Sequence, residues 1–215
     1  MPKVPAQYLE ARKNEILDAA RACFRRRGFH QTTIQDICRE AQLSPGAVYR
    51  YFRSKEDINK ALIERFTEEL TRLIATTRSM APSPSQAVEM LGRYMFARLQ
   101  DPDFEQEGRL DVECWPELLR DEGMLAAIRR QMATLRESFV EMFRLAQAEG
   151  HLGGPGGPPP EHLYSLLAAA YQGLRLNALL EPEAVDPEAI LELLLRLLSR
   201  PEPVAALASP AERGA

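Results

Sequence analysis

The chain has 215 residues, with 27 Lys and Arg against 31 Asp and Glu, for a formal net charge of −4. That length suits one or two domains with a real core, and the acidic balance taken alone argues against a nucleic-acid binder. The opening MPKVPAQYLE is polar, so no signal peptide is expected, and apolar runs such as Leu166 to Tyr171 fall far short of the roughly 18 residues a membrane span needs.

The net charge hides an asymmetry. Up to Lys55 there are eleven basic residues and five acidic ones, a balance of +6, which leaves −10 for the remainder. A basic head on an acidic body is what a phosphate-binding module joined to a sensing body should look like. Arg25, Arg26 and Arg27 also fit a plainer reading, since positive charge is favourable at a helix C-terminus without any ligand. Cys23, Cys38 and Cys114 are scattered, have no CxxC spacing and sit among apolar helical residues. They read as buried reduced thiols of a cytoplasmic protein, with a redox switch as the alternative.

In chain order, residues 1 to 7 read as an arm, with Lys3 placed to track phosphates. A first helix runs from about Tyr8 to Arg27, with Ile16, Leu17, Ala20 and Phe24 at helical spacing and Gly28 as its cap. Thr33 with Asp36 three residues on is a capping-box pattern that starts a helix of two turns. A turn follows at Gln42-Leu43. Ser44-Pro45 then supplies an N-cap and a first-turn proline for a second short helix, Pro45 to about Phe52. Ser54 with Asp57 opens a longer helix to about Arg78, with Ile58, Leu62, Phe66, Leu70, Leu73 and Thr77 on one face. It joins the basic head to the acidic body.

Beyond the break at Met80-Ala81-Pro82, Ser83-Pro84-Ser85-Gln86 starts a helix whose inner face is Val88, Leu91, Met95 and Leu99. Asp101-Pro102-Asp103 is expected to close it. A less regular segment becomes helical around Glu107 to Arg120 through Leu110, Cys114 and Leu118, with Pro116 expected to kink it or start a new turn. The helix from Asp121 to about Gly150 is the most regular, through Leu125, Ile128, Met132, Leu135, Phe139, Phe143 and Ala146. Gly153 to Pro160 reads as a flexible connector; it lacks the Gly-Lys-Ser/Thr ending of a phosphate loop. Of the last two helices, Glu161 to Leu180 carries Leu163, Leu166, Leu167, Ala170, Tyr171, Leu174 and Ala178, and the one capped by Asp186-Pro187 is apolar nearly all round. Either they are buried within the monomer, or a two-fold partner covers them, giving a homodimer through helices 161–180 and 186–199. No stretch alternates like a strand. The fold class is all-α.

Residues 32–58 thus have the layout of a helix-turn-helix whose second helix enters a DNA major groove. The chain resembles the tetracycline-repressor (TetR) family of bacterial transcription regulators here. The matching pieces are Thr32-Thr33, Ile37, Ala41, Ser44 to Tyr49, Tyr51-Phe52 and Ser54 to Asp57. Upstream, Ile16-Leu17, Ala19-Ala20, Phe24 and Gly28-Phe29 match the family's first helix and its exit. One departure is Gln42, where the family usually has Gly: either Gln42 tolerates positive φ or the turn differs.

The resemblance implies an N-terminal three-helix DNA-binding domain, 1–53, then a helical ligand-sensing and dimerisation domain, 54–200; the tail after Arg200, 201–215, reads as flexible. It implies that Gly46 lets the backbone approach DNA while Ser44, Pro45 and Ala47 face base edges or phosphates. Tyr49 and Tyr51 would donate to phosphates, and Arg50 would reach a phosphate or a guanine edge. Gln35 joins this set, with Thr33 and Lys55 at helix starts that favour phosphate oxygens. Packing within the head is the other reading of Tyr51 and Phe52.

A small-molecule effector of unknown identity is implied for the middle helices. Its lining candidates are Met90, Tyr94, Trp115, Met124, Met132 and Tyr171, with Tyr164 beside them and Asp111 and Glu113 for a cationic ligand. Ordinary core packing is the alternative. Catalysis is not expected: His30, His151 and His162 are dispersed, and no HExxH, metal-ligand spacing or GxSxG is present. No metal and no cofactor are expected. The function implied is a ligand-responsive regulator, a repressor, binding a pseudo-palindromic double-stranded operator as a homodimer. The alternative is a helical scaffold without DNA binding.

Overall fold

Local sequence signals set most of the helix starts. In a computed structural model that describes residues 5–199, helix α1 (Ala6–Arg27) stops at Gly28, whose φ of +78° few side chains tolerate and whose N–H returns to the Phe24 carbonyl. Helix α2 (Ile34–Glu40) is capped by the Thr33–Asp36 box, with both reciprocal bonds formed. Helix α3 (Pro45–Tyr49) starts on Ser44, and α4 (Lys55–Met80) on Ser54, each cap hydroxyl accepting from the third backbone N–H. Ser83 caps α5 (Pro84–Ala97), which tightens into a 3-10 turn at Arg98–Gln100. There follow α6 (Pro102–Arg120), α7 (Glu122–Ala148) from its Asp121 cap, α8 (Pro160–Leu180) and α9 (Pro187–Ser199). No strand occurs among the described residues, and the class is all-α as expected. Residues 1–4 and 200–215, and with them Lys3 and the tail, lie outside the described residues, as do the side chains of Asp111 and Leu118.

Three expectations need correcting. Asp101-Pro102-Asp103 does not introduce an irregular segment. Asp101 accepts from the Asp103 N–H at 2.9 Å, Pro102 takes the first helical position where its missing N–H costs nothing, and α6 runs on through Pro116. Phe66 of α4 is 42% exposed, because the buried stripe of that helix passes instead through Ile58, Ala61, Thr67, Ile74 and Thr77. The Gly153–Pro160 connector is packed. Leu152 is buried, the Gln147 amide donates to the Leu152 and Pro158 carbonyls at 3.1 and 2.8 Å, and a methyl on Gly157 would meet the Leu152 carbonyl at 2.6 Å.

Three apolar clusters hold the chain together. The first gathers Ile16, Leu17, Ala20 and Phe24 of α1, Ile37 and Cys38 of α2, Val48 of α3, then Phe52, and Ile58 and Ala61 of α4. Fully burying each large side chain is worth about 1.5–3 kcal/mol, and α2 and α3 are too short to form without it. Cys114 of α6 is buried in this cluster too. The second cluster joins Ile74 of α4, Leu91 of α5, Leu135, Met142 and Phe143 of α7 and Leu163 of α8. The third sets Phe96, Leu99 and Leu191 against Tyr171 and Leu174. Helix α4 contributes to the first two, so the head's core reaches past the boundary expected at residue 53.

Candidate DNA interface

Among the described residues of the head, the turn between α2 and α3 carries the one residue other than glycine at positive φ. Gln42 has φ of +56°, and the flanking bonds, Leu43 N–H to Cys38 carbonyl and Gln42 N–H to Arg39 carbonyl, form a Schellman closure. Of the two readings left open for this residue, the structure takes the first: Gln42 occupies the left-handed site. The closure turns the chain so that α3 starts at Ser44, with Val48 wholly buried beneath it.

What α3 leaves outward is a small, smooth ridge. Ser44, Pro45 and Gly46 are exposed, Ala47 is half-buried, and a methyl on Gly46 would meet no atom within 4 Å. Tyr49 is 51% exposed and Arg50 is exposed at the helix end. Gln35 is exposed on α2. The helix ends at Tyr49, earlier than expected, because Arg50 forms the cap and the chain then tucks Phe52 into the core. Tyr51 is half-buried and packed on the first cluster.

Thr33 and Lys55 are occupied within the protein. The Thr33 hydroxyl donates to Asp36 at 2.7 Å and its N–H donates to the same carboxylate at 3.0 Å. Lys55 Nζ donates to the carbonyls of Phe29 at 2.6 Å and His30 at 3.3 Å, and lies 4.4 Å from the Phe29 ring centroid.

The arginine cluster at the end of α1 braces the head internally. Arg25 pairs with Asp103 of α6, Arg26 with Glu40 and Arg27 with Asp36, the last at 2.9 Å. Part of the head's positive charge is thereby neutralised. The Thr33 hydroxyl and N–H, with smaller help from Arg27 and Arg39, hold the Asp36 carboxyl below its usual range; Arg26 does the same for Glu40. Burial pushes the Cys23 and Cys38 thiols up, away from the reactive thiolate.

The six effector-lining candidates are not gathered round one cavity. Met90, Tyr94 and Trp115 are exposed, Met124 is buried, Met132 packs in the second cluster and Tyr171 in the third, its hydroxyl donating to the Met95 carbonyl at 3.3 Å. Tyr164 packs against Phe139 as a tilted ring pair, with centroids 5.7 Å apart. Glu113 turns toward the head, accepting from the Phe29 N–H at 2.8 Å. A cleft of about 260 Å³ lies elsewhere, between the end of α5, α6 and the end of α8, with Leu99, Gly108, Arg175, Ala178, Leu179 and Val185 among its walls. Periodicity did not reveal it, because its walls come from separate elements: the 3-10 turn after α5, the middle of α6, the last turns of α8 and the link to α9. Among the described residues no acidic, His and Cys group is placed to hold a metal, and no helix is long and apolar enough to cross a membrane.

Comparison with known proteins agrees with this geometry. The family described as bacterial regulatory proteins, tetR family, matches residues 16–62, and that of the BetI-type transcriptional repressor C-terminal region matches residues 87–200. The HTH-type transcriptional repressor Rv1474c of Mycobacterium tuberculosis is 34% identical over 114 residues, spanning 49% of this chain and 61% of that relative. Salmonella enterica GusR superposes with a TM-score of 0.67 at 27% identity, covering 87% of this chain and 95% of that one. FadR from Bacillus subtilis, solved in complex with stearoyl-CoA, gives 0.69 at 16% identity over 88% and 98%, a likeness of fold. With a helix-turn-helix at one end and a matching helical body over more than half its length, the chain belongs to the tetR family of bacterial transcription regulators.

Proposed function

We propose that the protein is a repressor that binds a pseudo-palindromic operator as a homodimer and is released by a small molecule. The observation that carries this reading is the α3 ridge: a capped, anchored short helix whose outward positions are Ser44, Pro45, Gly46, Ala47, Tyr49 and Arg50. With so little side-chain bulk at its start, the backbone can come close to base edges, while Tyr49 and Arg50 reach phosphates or a guanine. Gln35 supports the contact from α2. Tyr51, Thr33 and Lys55 act mainly by holding the head in shape. The test is selection of duplexes from a random pool, followed by titration at several salt concentrations. A symmetric sequence should be enriched, and its affinity should fall steeply with salt. A pool with no enriched sequence would refute the reading.

The dimer is assigned to α8 and α9, the reading weighed in the sequence against burial within the monomer. Leu166, Leu176 and Leu180 on α8 and Leu193 and Leu197 on α9 are between 39% and 70% exposed. A two-fold partner presenting the same pair would cover them in a four-helix interface. Replacing Leu193 by Glu should give monomers in sedimentation velocity; a persistent dimer would move the interface elsewhere.

The effector site is assigned to the cleft beside Arg175, since its walls are largely apolar with few polar groups, the usual form of a small-molecule site. The head, residues 1–53 with the first two turns of α4 completing its core, reads DNA, and the rest of the chain to residue 200 senses and dimerises, with α4 as the lever between them.

A further inference from the structure

The Phe29 peptide, in the link from α1 to α2, is held from both sides by different parts of the chain. Its N–H donates to Glu113 Oε2 of α6 at 2.8 Å, and its carbonyl accepts from Lys55 Nζ, at the first residue of α4, at 2.6 Å. The preceding Gly28 has φ of +78°, and a methyl there would lie 2.6 Å from the same carboxylate oxygen. Glu113 therefore fills the space a side chain would take, which only glycine leaves open. One stripe of α6 continues this contact: Asp103 pairs with Arg25, Gln106 accepts from Arg25 Nε at 3.2 Å, Leu110 packs on the head's core and Cys114 is buried in it. These positions recur at three and four residues, so a single face of a body helix lies along the exit of α1. On another side of α6, Gly108 lies against Leu179 at the wall of the cleft.

We infer that Glu113 is a positioning residue for operator recognition. It does not touch DNA. Through the Phe29 peptide it sets the angle at which each head leaves the body, and hence the separation of the two α3 helices in a dimer. The head keeps its own core without it, since that core is drawn almost wholly from α1 to α4. The consequence is specific: losing Glu113 should spoil the simultaneous fit of two heads and leave the fit of one head intact. This rests on the proposal that the protein binds a two-fold operator as a dimer.

The test uses the full chain, its selected operator, and the same duplex with one half-site scrambled. For Glu113→Ala, affinity for the intact operator should fall about tenfold or more and affinity for the single half-site should stay within about twofold, because two linked sites lose their advantage when geometry forbids joint engagement. The variant should also accept half-site spacings that the unmodified chain rejects. Glu113→Gln keeps an oxygen that can accept from the Phe29 N–H, and should bind both duplexes like the unmodified chain. Equal loss on both duplexes, loss on neither, or a Gln variant as weak as the Ala variant would overturn the inference. Should the Ala variant fail to fold, Glu113→Asp, which draws the carboxylate back by one methylene from the Phe29 N–H, takes its place, and the same outcomes on the two duplexes decide. If the unmodified chain shows no preference for the operator over scrambled DNA, the fault lies in the DNA-binding reading itself.

Discussion

Replacing Gln42 by glycine should stabilise the protein. Gln42 occupies the left-handed site of the Schellman closure at φ of +56°, and its side chain is exposed. An L-residue there costs roughly 1–2 kcal/mol against glycine, from the approach of Cβ to the following carbonyl. Glycine gives part of this back, because it widens the unfolded ensemble by about 0.4–1 kcal/mol. The exposed side chain buries little, so removing it adds no large cost. The net gain is about 0.5–1 kcal/mol, and for a chain of 215 residues it should raise the thermal midpoint by about 1–4 °C. Gln42→Ala keeps the strain and should move the midpoint little. Gln42→Val, with a β-branched side chain, should lower it. Circular dichroism melts of the three variants are the assay, with urea m-values checked to be unchanged. A lower midpoint for Gln42→Gly would mean that the turn is built differently, and α3 would no longer be placed as described.

Three further expectations follow from the head. Thr33→Ala removes the cap hydroxyl of α2 and should cost about 1 kcal/mol in a urea titration. Asp36 and Glu40 have folded pKa values below their ordinary ones, so the unfolded chain takes up protons first as the pH falls. Their contribution should therefore be complete at neutral pH and fade below about pH 4; melts of Asp36→Asn should show a shallower acid limb than the unmodified protein. Tyr49→Ala, at a side chain 51% exposed, should leave the melting midpoint unchanged and weaken DNA binding across sequences; unchanged affinity in a fluorescence-anisotropy titration would remove Tyr49 from the interface.

The parts of this fold that sequence makes legible are those where cause and effect lie within a few residues. Thr33, Ser44, Ser54, Ser83 and Asp121 each cap the helix that follows them, because the acceptor and the orphan N–H are only three positions apart. Even so, one local signal points two ways: Pro102 is as fit to open a helix as to follow one, and here Asp101 decides by accepting from Asp103. On α3 itself, Val48 is buried and Tyr49 and Arg50 are left outward, so one short helix shows both faces within five residues. What sequence could not supply is the pairing of faces across long separations. Glu113 lies 84 positions from Phe29, and no pattern near either names the other. The expected effector lining fails to converge for the same reason. Helical spacing gives Met90, Tyr94 and Trp115 a face but not a neighbour, and all three end up exposed. The arginines at the end of α1 were ambiguous in sequence because their carboxylate partners sit on other helices.

Whether α3 lies in the major groove is read out by dimethyl sulfate protection of the selected operator, since that reagent reports on guanine N7 at the floor of that groove. Two protected patches are expected, one in each half-site, separated by about one helical turn of 34–36 Å or more, both lost with Tyr49→Ala at the same protein concentration. Guanines left fully reactive in a complex that still shifts on a gel would contradict that placement.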